Sequence, residues 1–126
     1  MLEMVINGGR SMNTGIQLGP DTGSLDTYKT FDEVLESVDQ QFEYWTNQMC
    51  SSLNIIEEAH REIKPLPYVS AFFEDCMESG KDLTEGGAKY NGTGPQASGM
   101  ATCADELSTI KQLVFCLLYT SDAADD

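Results

Sequence analysis

TFDEVLESVDQQFEYWTNQMCSSLNIIEEAHREIKP, residues 30–65, is the stretch on which the fold turns. Its apolar positions are Phe31, Val34, Leu35, Val38, Phe42, Trp45, Met49, Leu53 and Ile56. They recur every three or four residues, the period of one face of an α-helix. Thr30 offers an N-cap, with Glu33 three residues on as its capping-box partner. Pro65 disfavours helical geometry in the residue before it, so the spacing predicts one helix from Phe31 to about Ile63. At ~1.5 Å per residue such a helix is about 50 Å long. A helix longer than a small domain is wide needs a larger body to lie against.

Upstream, Leu2–Ile6 reads as the last turn of a helix stopped by Gly8-Gly9, with no cap before it, and predicts missing upstream sequence. Asn7 to Thr30 reads as a long loop, punctuated by Gly8-Gly9, Gly19-Pro20 and Asp21-Thr22-Gly23. Loops of this length are usually functional or packed on a partner surface. Downstream, Leu66-Pro67 predicts a turn and Tyr68 to Ser79 a second helix. Its inward side is Val69, Phe72, Phe73, Cys76 and Met77, with Gly80 as its stop. Gly80 to Gly99 is dense in glycine, with Ala88 to Asn91 as a short strand and Thr93 to Gln96 as the loop at its end. Ala101 to Phe115 predicts a last helix with Cys103 or Ala104, Leu107, Ile110, Leu113 and Val114 inward. Three helices and one strand bury too little apolar surface to stand alone. The expectation is therefore a piece of a larger α/β enzyme, mostly helical in isolation.

The chain has 126 residues, one domain's worth. Seven Lys+Arg against 21 Asp+Glu give a net charge of −14. Such a chain repels nucleic acid and anionic membrane, so neither is expected as a partner. A 40% hydrophobic composition is too apolar for a disordered chain. No run approaches the ~20 apolar residues of a spanning helix, and Met1 to Arg10 do not form a secretory signal. The expected compartment is the cytoplasm. Cys50, Cys76, Cys103 and Cys116 form no CxxC pair, so no metal site is expected and the thiols read as free.

Cys116-Leu117-Leu118-Tyr119-Thr120-Ser121-Asp122-Ala123-Ala124-Asp125-Asp126 continues no amphipathic pattern. It can be written in codons that resemble the transposase adapter of short-read libraries. Residues 116–126 are accordingly expected to be translated adapter at the end of a metagenomic contig, and residues 1–115 the natural part. Removing three Asp from the count leaves −14 + 3 = −11.

Taken alone, the residues name no catalytic group. His60, the only histidine, lies among Glu57, Glu58, Arg61 and Glu62 and reads as a surface residue. There is no nucleophile elbow, no complete dinucleotide fingerprint and no phosphate loop. The glycines between 80 and 99 fit either close approach of backbone to a ligand or tight barrel packing.

Two blocks carry a resemblance. Glu85-Gly86-Gly87-Ala88-Lys89-Tyr90-Asn91-Gly92-Thr93-Gly94-Pro95-Gln96 is similar to GGAxYNxTGPQ. Ala104-Asp105-Glu106-Leu107-Ser108-Thr109-Ile110-Lys111-Gln112-Leu113-Val114-Phe115 is similar to ADSLxAIKxLVF, with Glu106 in place of Ser. Leu66 to Ser70, Glu74 to Cys76, Gly80 to Thr84 and the glycine turns of the first loop fit the same run. Residues 1–115 thus resemble the glycyl radical enzymes related to pyruvate formate-lyase, in the branch of diol dehydratases and choline trimethylamine-lyase.

The resemblance implies a barrel of two five-stranded half-sheets ringed by helices. It implies a glycyl radical installed by a radical S-adenosylmethionine activase, a cysteine that relays the radical to a small-molecule substrate, and sensitivity to oxygen. A homodimeric parent and packing against the remainder of the barrel are implied with it. The family's Gly-Cys-Val-Glu and Arg-Val-(Ser/Ala)-Gly-Tyr motifs are absent from this sequence. The chain would lie between them, hold no bound cofactor and carry no catalytic residue. The expected wall of the substrate pocket is Tyr90, Asn91, Thr93, Gly94, Pro95 and Gln96. The reading is an internal fragment, inactive alone, of a lyase or dehydratase cleaving C–O, C–N or C–C bonds. The alternatives are a fragment of a formate C-acetyltransferase and a non-catalytic acidic interaction domain.

Overall fold

A computed structural model describes residues 1–116. The chain divides into two compact units, one formed by Met1–Thr46 with the segment from Ala97 onward, the other by Asn47–Gln96. Its helices are α1 (Leu2–Ile6), α2 (Phe31–Ile63), α3 (Pro67–Ser70), α4 (Glu74–Ser79) and α5 (Met100–Ile110). Short 3-10 turns lie at Leu25–Thr27 and Leu83–Glu85, and one wide π turn runs over Lys111–Cys116. Of residues 116–126, expected to be translated adapter, 117–126 lie outside the described residues.

In the first unit, the segment after α1 is a folded-back loop. Isolated antiparallel bridges join Asn7 to Ser24 and Arg10 to Gln17. The Gly9 carbonyl accepts from Leu18 N at 2.9 Å and Gly19 N at 3.0 Å. Gln17 Nε2 donates to the carbonyls of Gly8 (2.7 Å) and Gly19 (2.8 Å), fastening the crossing.

The loop then lies on α2, which spans the predicted residues. At its start Glu33 N donates to Thr30 Oγ1 at 3.4 Å. The Glu33 carboxylate accepts from Lys29 N at 2.7 Å, one residue earlier than a capping box requires. The covered strip of α2 differs from the predicted one. Its buried residues are Val34, Ser37 and Gln41, while Leu35, Phe42, Met49 and Ile56 of the apolar stripe are exposed, Phe42 by 58%. The reason is polar. Gln41 Nε2 donates to Pro20 O (2.8 Å) and Thr22 Oγ1 (3.1 Å). Ser37 Oγ donates to Thr22 Oγ1 at 2.8 Å, and the Tyr28 hydroxyl lies 2.8 Å from Ser37 Oγ and 2.9 Å from Thr22 O. These bonds satisfy backbone groups of the loop that would otherwise be buried unpaired.

The last helix also departs from expectation. α5 ends at Ile110 and continues as the π turn instead of running to Phe115. Cys103, Leu107, Ile110 and Val114 are half-buried, and Leu113 is exposed. Phe115 meets Phe31 edge-on at 6.0 Å, and Lys111 Nζ sits 5.2 Å from the centre of the Phe31 ring.

In the second unit, the predicted helix Tyr68–Ser79 is broken into α3 and α4. Phe72 N and Phe73 N bond to Val69 O and Ser70 O, three residues back, so the ladder tightens and stops. Phe73 is then extended, at φ −103° and ψ 114°. Gly80 ends α4 at φ 65°, the left-handed stop its position predicts. The predicted strand Ala88–Asn91 does not form. No partner strand lies among the described residues, and the Lys89 N–H that a ladder would use donates to Asp75 Oδ2 at 3.0 Å. Among the described residues the buried hydrophobic side chains are Val5, Val34, Cys76 and Ala88.

Candidate functional site

The expected pocket-wall segment rises from a root built around Asp82. This carboxylate accepts from Leu66 N (3.1 Å to each oxygen), Ser70 Oγ (2.9 Å), Thr84 N (2.9 Å) and Thr84 Oγ1 (2.6 Å). Ser70 Oγ also accepts from Leu83 N at 2.8 Å. The turn at Leu83–Glu85 is thereby tied to α3. The Thr84 hydroxyl is the main cause of a pKa drawn down to about 2, against the opposing cost of burial. The Thr84 and Leu66 amides and the Ser70 hydroxyl add to the lowering.

Gly87 follows, at a close approach. A Cβ there would stand 2.3 Å from Lys81 O and 2.9 Å from Cys76 Sγ, so only glycine fits against the buried thiol. Burial, followed by the charges of Asp82 and Asp75, pushes the Cys76 thiol up and so disfavours its thiolate. Lys89 N is then held by Asp75 as described above.

Beyond this root the chain is free of regular structure from Asn91 to Ser98. Tyr90, Asn91, Thr93, Gly94, Pro95 and Gln96 are all exposed, Tyr90 by 91%. Lys89 Nζ lies 5.9 Å from the Tyr90 ring centre. Thr93 Oγ1 donates to Glu57 Oε1 on α2. The structure therefore gathers the six residues on one exposed segment with a fixed root and one side-chain tie. Asp82, Ser70, Thr84, Asp75 and Glu57 escape sequence reasoning. Of these only Asp82-Leu83-Thr84 leaves a local signal, an acidic side chain poised to take the amide two residues on.

His60 is exposed on α2 beside the Arg61–Glu58 ion pair. Among the described residues no group of three or more His, Cys, Asp or Glu side chains is arranged to hold a metal ion. No helix there is long and apolar enough to cross a membrane.

The model of the family described as "Pyruvate formate lyase-like" matches residues 1–117. The chain belongs to the pyruvate formate lyase-like family. The chain of this family member is 84% identical over 115 residues to (2S)-3-sulfopropanediol dehydratase of Klebsiella oxytoca, covering 91% of this chain and 14% of that protein. The glycerol-bound B12-independent glycerol dehydratase of Clostridium butyricum superposes with a TM-score of 0.83 at 40% identity, over 91% of this chain and 14% of that one. Hydroxyproline dehydratase of Clostridioides difficile, with trans-4-hydroxy-L-proline bound, gives 0.85 at 32% identity, over 91% and 15%. These neighbours are glycyl radical enzyme barrels. This pyruvate formate lyase-like chain is a mostly helical part of that architecture and spans about one seventh of the length of the relatives it matches.

Proposed function

We propose that residues 1–115 are an internal segment of a glycyl radical dehydratase whose substrate is a small vicinal diol carrying a sulfonate. The observation that carries this is the 84% identity over 115 residues to (2S)-3-sulfopropanediol dehydratase, against 32% to trans-4-hydroxy-L-proline dehydratase. The reaction removes water from the diol and leaves an aldehyde bearing the sulfonate, with no net oxidation. The dehydratases among its relatives favour this reading over a formate C-acetyltransferase. The exposed side chains of Phe42, Tyr68, Phe72 and Met77 favour a remaining barrel to cover them over a free-standing interaction domain.

In this reading the radical glycine, the relay cysteine, the radical S-adenosylmethionine activase contact and the homodimer surface belong to the rest of the parent, in an anaerobic cytoplasm. The radical, once installed there, supplies hydrogen abstraction. This chain supplies Tyr90, Asn91, Thr93, Gly94, Pro95 and Gln96 to the pocket wall and holds them through Asp82 and Asp75. Residues 116–126 stand apart from the reading as translated adapter.

The test is to recover the complete reading frame from the source DNA by a library method without that adapter. The enzyme is then assayed anaerobically with its activase on (2S)-3-sulfopropanediol, glycerol and 1,2-propanediol. Turnover of the sulfonated diol, with aldehyde formed, is the expected result. A frame lacking the cysteine and glycyl motifs, or turnover restricted to pyruvate with coenzyme A, overturns the proposal.

A further inference from the structure

We infer that Glu57 is a positioning residue that fixes the crest of the pocket-wall segment and, by taking the only proton of the Thr93 hydroxyl, makes Thr93 a hydrogen-bond acceptor toward substrate. The inference rests on the assignment of that segment to the pocket wall.

Residues 91–98 have no helix or strand to order them. Gly92 and Gly94 flank Thr93, and a Cβ at either would meet nothing within 4 Å. Side-chain packing therefore does little to set the height of the segment. The root is set by the Asp75 carboxylate at Lys89 N, 3.0 Å. The crest is set by Thr93 Oγ1 donating to Glu57 Oε1, the one side-chain hydrogen bond made by residues 90–98 among the described residues. Its partners are 36 residues apart, so the tie closes a long loop and restricts it more than a local turn would.

The chemistry of the tie decides what Thr93 can read. A threonine hydroxyl has one proton and two lone pairs. With the proton on a carboxylate, the oxygen offers lone pairs alone. It then suits an incoming O–H, as a diol presents, and not a sulfonate, which carries acceptors only. The negative charge of Glu57 strengthens both preferences. Thr93 is thus assigned to the hydroxyl end of the substrate, and the anionic end must be met elsewhere.

The test uses the complete enzyme. Hydrogen exchange of peptides spanning 90–96 is expected to be roughly five-fold faster in Glu57→Ala and in Thr93→Val, with no further gain in the double variant. Glu57→Gln keeps an acceptor oxygen and is expected to restore slow exchange. In turnover, Glu57→Ala and Thr93→Val raise KM for the diol roughly five-fold with kcat little changed, and Glu57→Gln rescues. Unchanged exchange in Glu57→Ala, or additive effects of the two substitutions, overturns the tie. Coupled exchange in an active enzyme whose KM does not move overturns the role toward substrate. Coupled exchange in an enzyme that dehydrates no diol upholds the tie and overturns the proposed function.

Discussion

Replacing Gly9 by Ala tests whether the first loop is packed as described. Gly9 stands at φ +78°, and a Cβ there would lie 2.3 Å from Pro20 O, 2.7 Å from Gln17 Nε2 and 2.8 Å from Gly19 O. Two costs combine. An L-residue in the left-handed region costs about 1–2 kcal/mol. Forcing backbone oxygens apart in a packed crossing adds about 1–3 kcal/mol. Gly15 separates them, since it has φ +68° and nothing within 4 Å of its Cβ position. Gly15→Ala should therefore lose about 1–2 kcal/mol and Gly9→Ala about 2–5 kcal/mol. The assay is hydrogen exchange of peptides spanning residues 7–30 in the complete enzyme. The extra loss in Gly9→Ala speeds exchange there by roughly ten-fold relative to Gly15→Ala. Equal exchange rates in the two variants would refute the crossing of the loop over Gly9.

Other outcomes follow from the polar anchors. The Asp82 carboxylate is drawn down to about 2 from 3.8, so its contribution to stability is full above pH ~4 and lost as pH falls through ~2. In acid titration followed by circular dichroism, Asp82→Asn should flatten the loss between those values and lower stability at neutral pH. Gln41 is fully buried with its amide nitrogen on Pro20 and Thr22. Gln41→Met should cost about 1–2 kcal/mol in the same exchange assay on the complete enzyme, and Gln41→Glu more, because a carboxylate would face the Pro20 carbonyl without a partner. A thiol-labelling time course on the complete enzyme should modify Cys50, if it stays exposed there, well before Cys76, whose thiol is buried and raised. Simultaneous labelling would show that Gly87 does not cover it.

The limits of α2 were legible because they depend on local chemistry, Thr30 at one end and Pro65 at the other. The stop at Gly80 was legible for the same reason. The break between α3 and α4 was not, because the apolar spacing runs unbroken through Val69, Phe72, Phe73, Cys76 and Met77 while the backbone tightens to three-residue bonds at Phe72 and Phe73. The covered strip of α2 was missed because period counting follows apolar side chains, whereas Ser37 and Gln41 are buried by hydrogen bonds from the loop. The segment from Tyr90 to Gln96 stood out in the sequence through a motif shared with a family. Its tie to Glu57 did not, since it joins positions 36 residues apart on a helix dense in other carboxylates.

The clasp between α2 and its loop has a bearing on assembly. The bonds from Ser37 and Gln41 to Pro20 and Thr22 span 15 to 21 residues. Such low contact order lets one flank of the helix acquire its cover early, while the emerging polypeptide is still short. The greasy flank beside it is then left as the adhesive one, already oriented by a neighbour it did not have to wait for. A chaperone surveying the nascent chain would meet one sticky stripe rather than a whole amphipathic cylinder.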